Sequence, residues 1–146
     1  MIPIDELKRQ HADICELMNV LSILIPREEV RSSGVVQDLF SSLAGKVKEH
    51  IALEESSLYK ELLVHEDEDL QRVARNFLSG SHGLKLFFND YIRRSCKRSS
   101  KNEDCAAFVR ETEEIFGTLK KRIEVEENKF YPLVENSERR VSTNLQ

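Results

Sequence analysis

Two stretches of the chain, KEHIALEESSLY at residues 48–59 and KKRIEVEENKFY at residues 120–131, resemble each other. They lie 72 positions apart, counted from residue 48 to residue 120. Each continues a stripe of apolar residues at the spacing of one α-helix face, and each has a glutamate within that face, at Glu54 and Glu126. The repeat predicts two long helices built on one template, each with a carboxylate facing the protein interior.

Apolar residues at helical spacing extend over most of the chain, in four segments. The segments cover residues 4–25, 36–65, 70–96 and 108–133. The acidic run at 66–69 precedes the third segment, where exposed N–H groups and the helix dipole favour negative charge. We predict an all-α fold, an antiparallel up-down-up-down four-helix bundle. It forms one domain over residues 1–135, followed by a polar, flexible C-terminal tail at 136–146.

Composition supports this fold class and excludes others. The 146 residues include 5 glycines and 3 prolines, too few for the turns of an all-β sandwich or barrel. The net charge is −4, and 22 basic residues are mixed with 26 acidic ones without a basic stripe, so nucleic acid is not expected as a partner. No run reaches the roughly 18 apolar residues of a membrane span.

The N-terminus and the cysteines indicate the cellular compartment of the protein. Residues 1–10 carry charges where a signal peptide needs an apolar core. The three cysteines, Cys15, Cys96 and Cys105, are odd in number and widely spaced, which indicates free thiols and not a disulfide framework. Cys96 and Cys105 flank one polar loop and could pair under oxidation. We therefore expect a soluble, cytoplasmic protein in a reducing compartment.

Several polar residues fall on the predicted inward faces. At about 100° per residue, Glu54 and Glu126 lie within the apolar arcs of their helices, and His50 and Arg122 lie one turn earlier on the same sides. His11 shares the stripe of the first helix. Burying such groups costs several kcal/mol unless they are paired or coordinated. Imidazole and carboxylate at i and i+4, repeated on facing helices, are how bundle cores hold iron or manganese, whereas a lone inward histidine is often only a hydrogen-bonded core residue.

His82 fits this pattern less well. It projects more than about 100° away from the apolar stripe of the third helix. Its neighbours at residues 79–83, SGSHG, are poor helix formers, so a local bulge or break could turn the ring inward. The glycines and serines at this point have no explanation in the apolar pattern.

The arrangement resembles the bacterial hemerythrin-like family, the cation-binding bundles named for a His-His-Glu motif. The resemblance extends over residues 4–135, and the strings at 49–55 and 123–132 are similar to the family's second- and fourth-helix motifs. It implies a non-haem di-iron site, oxo- or hydroxo-bridged, with both glutamates bridging the irons. The implied metal ligands are His11, His50, Glu54, His82 and Glu126. Family members bind dioxygen or nitric oxide, sense oxygen or iron, or assist the repair of iron centres.

The sequence departs from the family pattern at Arg122, where the family has a histidine four residues before its glutamate. A guanidinium keeps its proton and offers no lone pair to a metal. Three outcomes are open: a di-iron site with water or another side chain at the vacant position, a mono-iron site, or a metal-free core in which Arg122 neutralises Glu54 and Glu126.

The resulting hypothesis is an iron-binding protein, not an enzyme. Its metal would bind dioxygen, nitric oxide or another small diatomic, for oxygen or redox sensing or for iron handling. One alternative is a metal-free helical interaction module. Another is a weak di-iron oxidase or peroxidase, although di-iron oxidases use more inward carboxylates than the two seen here. No membrane partner is expected, the protein partner is unknown, and a homodimer is left open.

Overall fold

The computed structural model describes residues 2–98 and 105–144, and within these ranges the chain forms helices and no strand. The α-helices are α1 (Ile4–Leu24), α2 (Glu28–Arg31), α3 (Gly34–Leu53), α4 (Lys60–Leu62), α5 (Glu68–Arg98), α6 (Cys105–Val125) and α7 (Tyr131–Asn144). Two π-helical turns complete the long rods: Glu54–Tyr59 joins α3 to α4, and Glu126–Phe130 joins α6 to α7. The short α2 lies in the connection between the first two rods.

The four rods form the predicted antiparallel four-helix bundle. The helix α1 packs against α3 and α6, and α5 packs against the same two neighbours. The α3 rod begins at Ser33, whose Oγ accepts a hydrogen bond from the backbone N–H of Val36. The α5 rod begins in the acidic run, where Asp67 Oδ1 accepts from the N–H groups of Asp69 and Leu70. The helix start predicted from that run is therefore confirmed.

The two π-helical turns change which residues face the core. Each contains one residue more than an α-helical turn would, so the residues that follow are rotated relative to a regular helix. After the second turn, Tyr131 and Val134 are buried, whereas Leu133 is 48% exposed. The prediction that Leu133 belongs to the buried stripe is wrong, because the inserted residue shifts the phase of the helix at that point.

The last helix continues into the residues that the sequence pattern assigns to a tail. The helix α7 runs through residues 136–144. Glu138 Oε1 accepts a hydrogen bond from the backbone N–H of Ile2, and Ser137 Oγ lies 2.9 Å from His65 Nε2. The flexibility of residues 136–146 and the domain division at 135 stay predictions.

The polar loop predicted between Cys96 and Cys105 begins later than the sequence pattern indicates, because α5 continues to Arg98. Residues 99–104, and with them most of that loop, lie outside the described part of the chain, as do the side chains of Cys96 and Cys105 and their predicted pairing. Cys15 is a free, partly buried thiol. No helix in the described ranges has the length and apolar character needed to cross a bilayer.

The bundle core consists of two apolar clusters separated by a polar layer. One cluster contains Ile14 on α1, Ile51 on α3 and Ile123 on α6. The other contains Leu7, Leu58 and Phe130, each about two helical turns away from its counterpart on the same rod. Of the buried polar residues, His11, Glu54 and Glu126 come between these positions in the sequence, and His50 comes directly before Ile51. The fold thus places four polar side chains in one layer, enclosed by apolar residues on both sides.

Candidate metal centre

Four of the predicted ligands meet in the polar layer. One ligand atom from each of His11, His50, Glu54 and Glu126 lies within 4.8 Å of the other three, and all four side chains are buried. Each belongs to the inward stripe of its rod, as the sequence pattern predicts. Two imidazoles and two carboxylates are ligands that suit iron, manganese or zinc. The donor set and its convergence on one point fit a metal ion.

The ring of His50 is oriented for coordination. Its Nδ1 donates a hydrogen bond to Gln10 Oε1 at 2.8 Å, which leaves the lone pair on Nε2. Nε2 lies 2.5 Å from Glu54 Oε1, but the contact lacks hydrogen-bond geometry, so this buried nitrogen has no hydrogen-bond partner among the described residues. Burial lowers the pKa of His50, and the ring is therefore neutral at pH 7. A neutral imidazole with a free lone pair is ready to bind a metal.

His11 has a similar outer partner. Its Nε2 lies 3.7 Å from Glu126 Oε2, and its Nδ1 lies 3.5 Å from Glu127 Oε1 without forming a hydrogen bond. The His11 and His50 rings are in contact, with centroids 4.4 Å apart. A carboxylate behind the ring of a histidine is a common outer-shell partner of metal-bound imidazole.

Two tyrosines hold the carboxylates. The Tyr59 hydroxyl donates to Glu54 Oε2 at 3.2 Å, and the Tyr131 hydroxyl donates to Glu126 Oε2 at 3.0 Å. Both pairs are five residues apart, and in both the π-helical turn lies between the two residues. The wider turn brings residues i and i+5 onto one face, whereas an α-helix would align i and i+4. Burial raises the pKa of both tyrosines, so the hydroxyls stay protonated as donors.

The two glutamates differ in electrostatic environment. Burial and the neighbouring carboxylate of Glu126 raise the pKa of Glu54 well above its usual value. For Glu126, burial acts in the same direction, but the nearby His11 ring and the charge of Arg122 outweigh it and lower the pKa. Without a metal, the proton of the pair therefore favours Glu54 and the negative charge favours Glu126.

The structure does not bring His82 to this cluster. The helix α5 is continuous through residues 79–83, without the bulge or break that could turn the ring inward. The His82 side chain is 62% exposed, and its Nε2 lies 3.7 Å from Glu55 Oε1 at the rim of the bundle. Arg122 does reach the cluster, with Nε 3.2 Å from Glu126 Oε1.

A small cavity lies beside the four residues. Its volume is about 30 Å³, and it is lined by the cluster, by Arg122 and by apolar side chains such as Ile14 and Val47. A separate groove of about 320 Å³ runs between α5 and α6, and Leu84 and Arg122 line both spaces. The inner cavity has room for one or two small molecules beside the cluster.

Comparison with protein families agrees with this geometry. The family model described as the hemerythrin HHE cation-binding domain matches residues 2–134. The chain belongs to this family. Comparison with curated proteins and with solved structures finds no match. The assignment as a hemerythrin HHE domain rests on the family model, and it confirms the resemblance seen in the sequence.

Sequence reasoning missed four residues of this HHE domain that surround the ligands: Gln10, Tyr59, Glu127 and Tyr131. The internal repeat contained a signal for two of them, since Tyr59 and Tyr131 occupy the same position in the two copies. Gln10 follows no pattern, because its contact with His50 joins two different helices.

The pKa of Glu54 leads to a prediction about the metal-free HHE domain. Folding raises the pKa of this carboxyl above 4.5, its value in the unfolded chain. The protonated carboxyl therefore contributes fully to stability below pH 4.5, and this contribution is lost as the pH rises through the pKa of the folded state. We expect the unfolding free energy to fall as the pH rises from 4.5 to the folded pKa of Glu54, by at most about 1.4 kcal/mol per pH unit. In Glu54→Gln this slope should be absent, and above the folded pKa the variant should be the more stable protein.

The measurement is urea unfolding from pH 5 to 9 in the presence of a chelator. Glu55→Gln is the matched control, because Glu55 is the next residue and its side chain is 37% exposed. It should keep the slope of the unaltered chain. A Glu54→Gln protein with the same slope would contradict the assignment of the buried proton.

Proposed function

We propose that this HHE domain binds iron through His11, His50, Glu54 and Glu126. We further propose that the iron binds dioxygen or another small diatomic such as nitric oxide, for oxygen or redox sensing or for iron handling in the cytoplasm. The observation that carries the proposal is the convergence of four buried ligand atoms within 4.8 Å, beside a cavity of about 30 Å³. The family and the ligand types support a metal, and the cavity supports a very small second ligand.

The cavity argues for a diatomic over an organic substrate. Organic ligands of drug size occupy pockets of roughly 300 to 1,000 Å³, about ten times the space found here. Iron bound in the cluster would supply the reversible coordination of the diatomic. The surrounding chain keeps bulk water out, since apolar clusters enclose the polar layer on both sides.

The residues around the cluster would hold the protons in place. Gln10 fixes the tautomer of His50, and the Tyr131 hydroxyl donates to Glu126 Oε2. Glu54 loses its proton when a cation binds, because the positive charge favours the carboxylate form. The α5–α6 groove supplies a route for a small molecule, with Leu84 and Arg122 between the groove and the inner cavity.

The contacts of Arg122 argue against a metal-free interaction module. In the predicted metal-free core, Arg122 neutralises both Glu54 and Glu126. Its guanidinium pairs with Glu126, whereas Glu54 Oε2 accepts from the neutral Tyr59 hydroxyl. His50 Nε2 is left without a hydrogen bond. The buried His50 nitrogen, unpartnered among the described residues and beside the Glu54 carboxyl, supports a bound cation.

The test combines metal analysis with ligand binding. We expect protein reconstituted anaerobically with ferrous ion to retain iron through gel filtration. Nitric oxide should then change its visible absorbance, whereas the bulkier tert-butyl isocyanide should not, because the cavity is too small for it. Iron content near zero after reconstitution would overturn the proposal. Equal responses to the two ligands would contradict the argument from cavity size.

A further inference from the structure

Arg122 is held firmly on the side of the cluster that faces α5. One of its terminal nitrogens donates to the backbone carbonyl of Phe77 at 2.8 Å and to the Tyr59 hydroxyl at 3.2 Å, and its Nε lies 3.2 Å from Glu126 Oε1. The guanidinium carbon lies 5.3 Å from the centre of the Phe77 ring. The side chain is 18% exposed. These contacts fix both the position and the orientation of the charge.

The neighbouring helix makes room for this side chain. A Cβ atom added at Gly80 would lie 3.0 Å from a terminal nitrogen of Arg122, whereas one added at Gly83 would meet nothing within 4 Å. Any residue larger than glycine at position 80 would therefore press on the guanidinium. The apolar pattern did not explain the glycines and serines at residues 79–83 of α5. The space that Arg122 needs explains the glycine at position 80. Arg122 and Gly80 fit together as a pair.

Arg122 and Tyr59 also engage one oxygen on each glutamate. Glu126 Oε1 faces Arg122, while Glu126 Oε2 faces His11 at 3.7 Å. Glu54 Oε2 accepts from Tyr59, while Glu54 Oε1 lies beside His50. A carboxylate that bridges two metals uses both oxygens. Here one oxygen of each glutamate is turned toward the imidazoles, and on Glu126 this oxygen also accepts from Tyr131. The other oxygen of each glutamate is paired with Arg122 or with Tyr59.

From these contacts we propose that the centre binds a single metal ion between His11, His50, Glu54 and Glu126, with the Arg122 guanidinium in place of a second ion. This inference rests on the proposed metal binding and adds the number of ions. With one divalent ion and Arg122, positive charges already outnumber the two carboxylates. A second divalent ion would meet a like charge that cannot dissociate, in a buried site where such repulsion is strong.

His82, the fifth ligand that the family resemblance implies, does not provide a ligand for a second metal ion. His82 lies at the rim, 62% exposed, with Glu55 as its neighbour. Position 122 offers no lone pair. On the α5 side of the cluster, the described residues therefore provide a cation and a tyrosine where a second metal would need imidazoles.

The experiment is an anaerobic titration with ferrous ion that counts bound ions per chain, by calorimetry and by elemental analysis. The unaltered chain should bind one ion, and Arg122→His should bind two. Arg122→Gln is the matched control, because it removes the charge without adding an imidazole, and it should bind one. After oxidation, the unaltered chain should give the electron paramagnetic resonance signal of an isolated ferric ion. The Arg122→His protein should lose signal through coupling of two ions.

The outcomes separate this inference from the proposed function. Two ions in the unaltered chain would overturn the single-ion site and leave metal binding intact. No ion in the unaltered chain would overturn metal binding itself, and the single-ion site with it. One ion in a folded Arg122→His protein, checked by circular dichroism, would overturn the role of Arg122 in excluding the second ion. One ion in Arg122→His would contradict the role of Arg122 even if the unaltered chain also binds one ion.

Discussion

Replacing His50 with alanine is expected to lower the affinity for ferrous ion by more than about 100-fold. Loss of an outer partner of a metal ligand typically costs about 10- to 100-fold, and His50 is placed as a ligand itself. The substitution removes the only ring nitrogen in the cluster whose lone pair is fixed by a hydrogen bond on the opposite side, from Nδ1 to Gln10. The fold should persist, because apolar clusters on both sides of the layer are untouched.

The measurement is a ferrous titration followed by absorbance under anaerobic conditions. His82→Ala is the control that the structure provides, since His82 is the predicted ligand that lies outside the cluster and is 62% exposed. We expect its affinity to stay within about twofold of the unaltered chain, as for a surface substitution away from the site. Equal losses in His50→Ala and His82→Ala would show that His82 is a ligand after all and that the four-residue set is incomplete.

The largest expected effect on stability is that of Phe40→Ala. Phe40 is fully buried in the apolar cluster at the end of the bundle away from the polar layer, against the rings of Tyr91 and Phe108. Truncating a buried phenylalanine to alanine costs about 3 to 5 kcal/mol through lost burial and the cavity left behind. For a domain of this size we expect the melting temperature to fall by roughly 10 °C.

Phe87→Ala is the matched control for this loss, because Phe87 is 51% exposed on α5. Its effect on the unfolding free energy should stay within about 0.5 kcal/mol. Both variants are compared by urea unfolding and by iron content. Phe40 lies ten residues before His50, about 15 Å along the helix, so folded Phe40→Ala should still bind iron. Similar stability losses in the two variants would contradict the assignment of the core.

The bundle was predictable because its helices are amphipathic. Apolar spacing alone predicts four rods, and few glycines and prolines leave no other fold class. Within the rods, Glu54 and Glu126 could be identified because a carboxylate on an apolar stripe is rare without a partner. His11 and His50 followed from the same argument. The family model and the convergence of the four residues agree with that interpretation.

The remainder of the site depends on features that a uniform helical period does not contain. The π-helical turns, which aim Tyr59 and Tyr131 at the glutamates, depend on hydrogen bonds that only the folded chain makes. The regular course of α5 leaves His82 outside, although its neighbours are poor helix formers. The fit between Gly80 and Arg122 joins two rods that are distant in sequence.

The π-helical turns also have a consequence for aligning this chain with others. Each turn holds one residue more than the α-helix around it, between a glutamate and the tyrosine that bonds to it. A related sequence with one residue fewer in this interval has the spacing i and i+4, which a regular α-helix aligns on one face, so the missing residue marks the loss of the π-helical turn. The length of the interval from Glu54 to Tyr59, and from Glu126 to Tyr131, is therefore as informative as the identities at its ends.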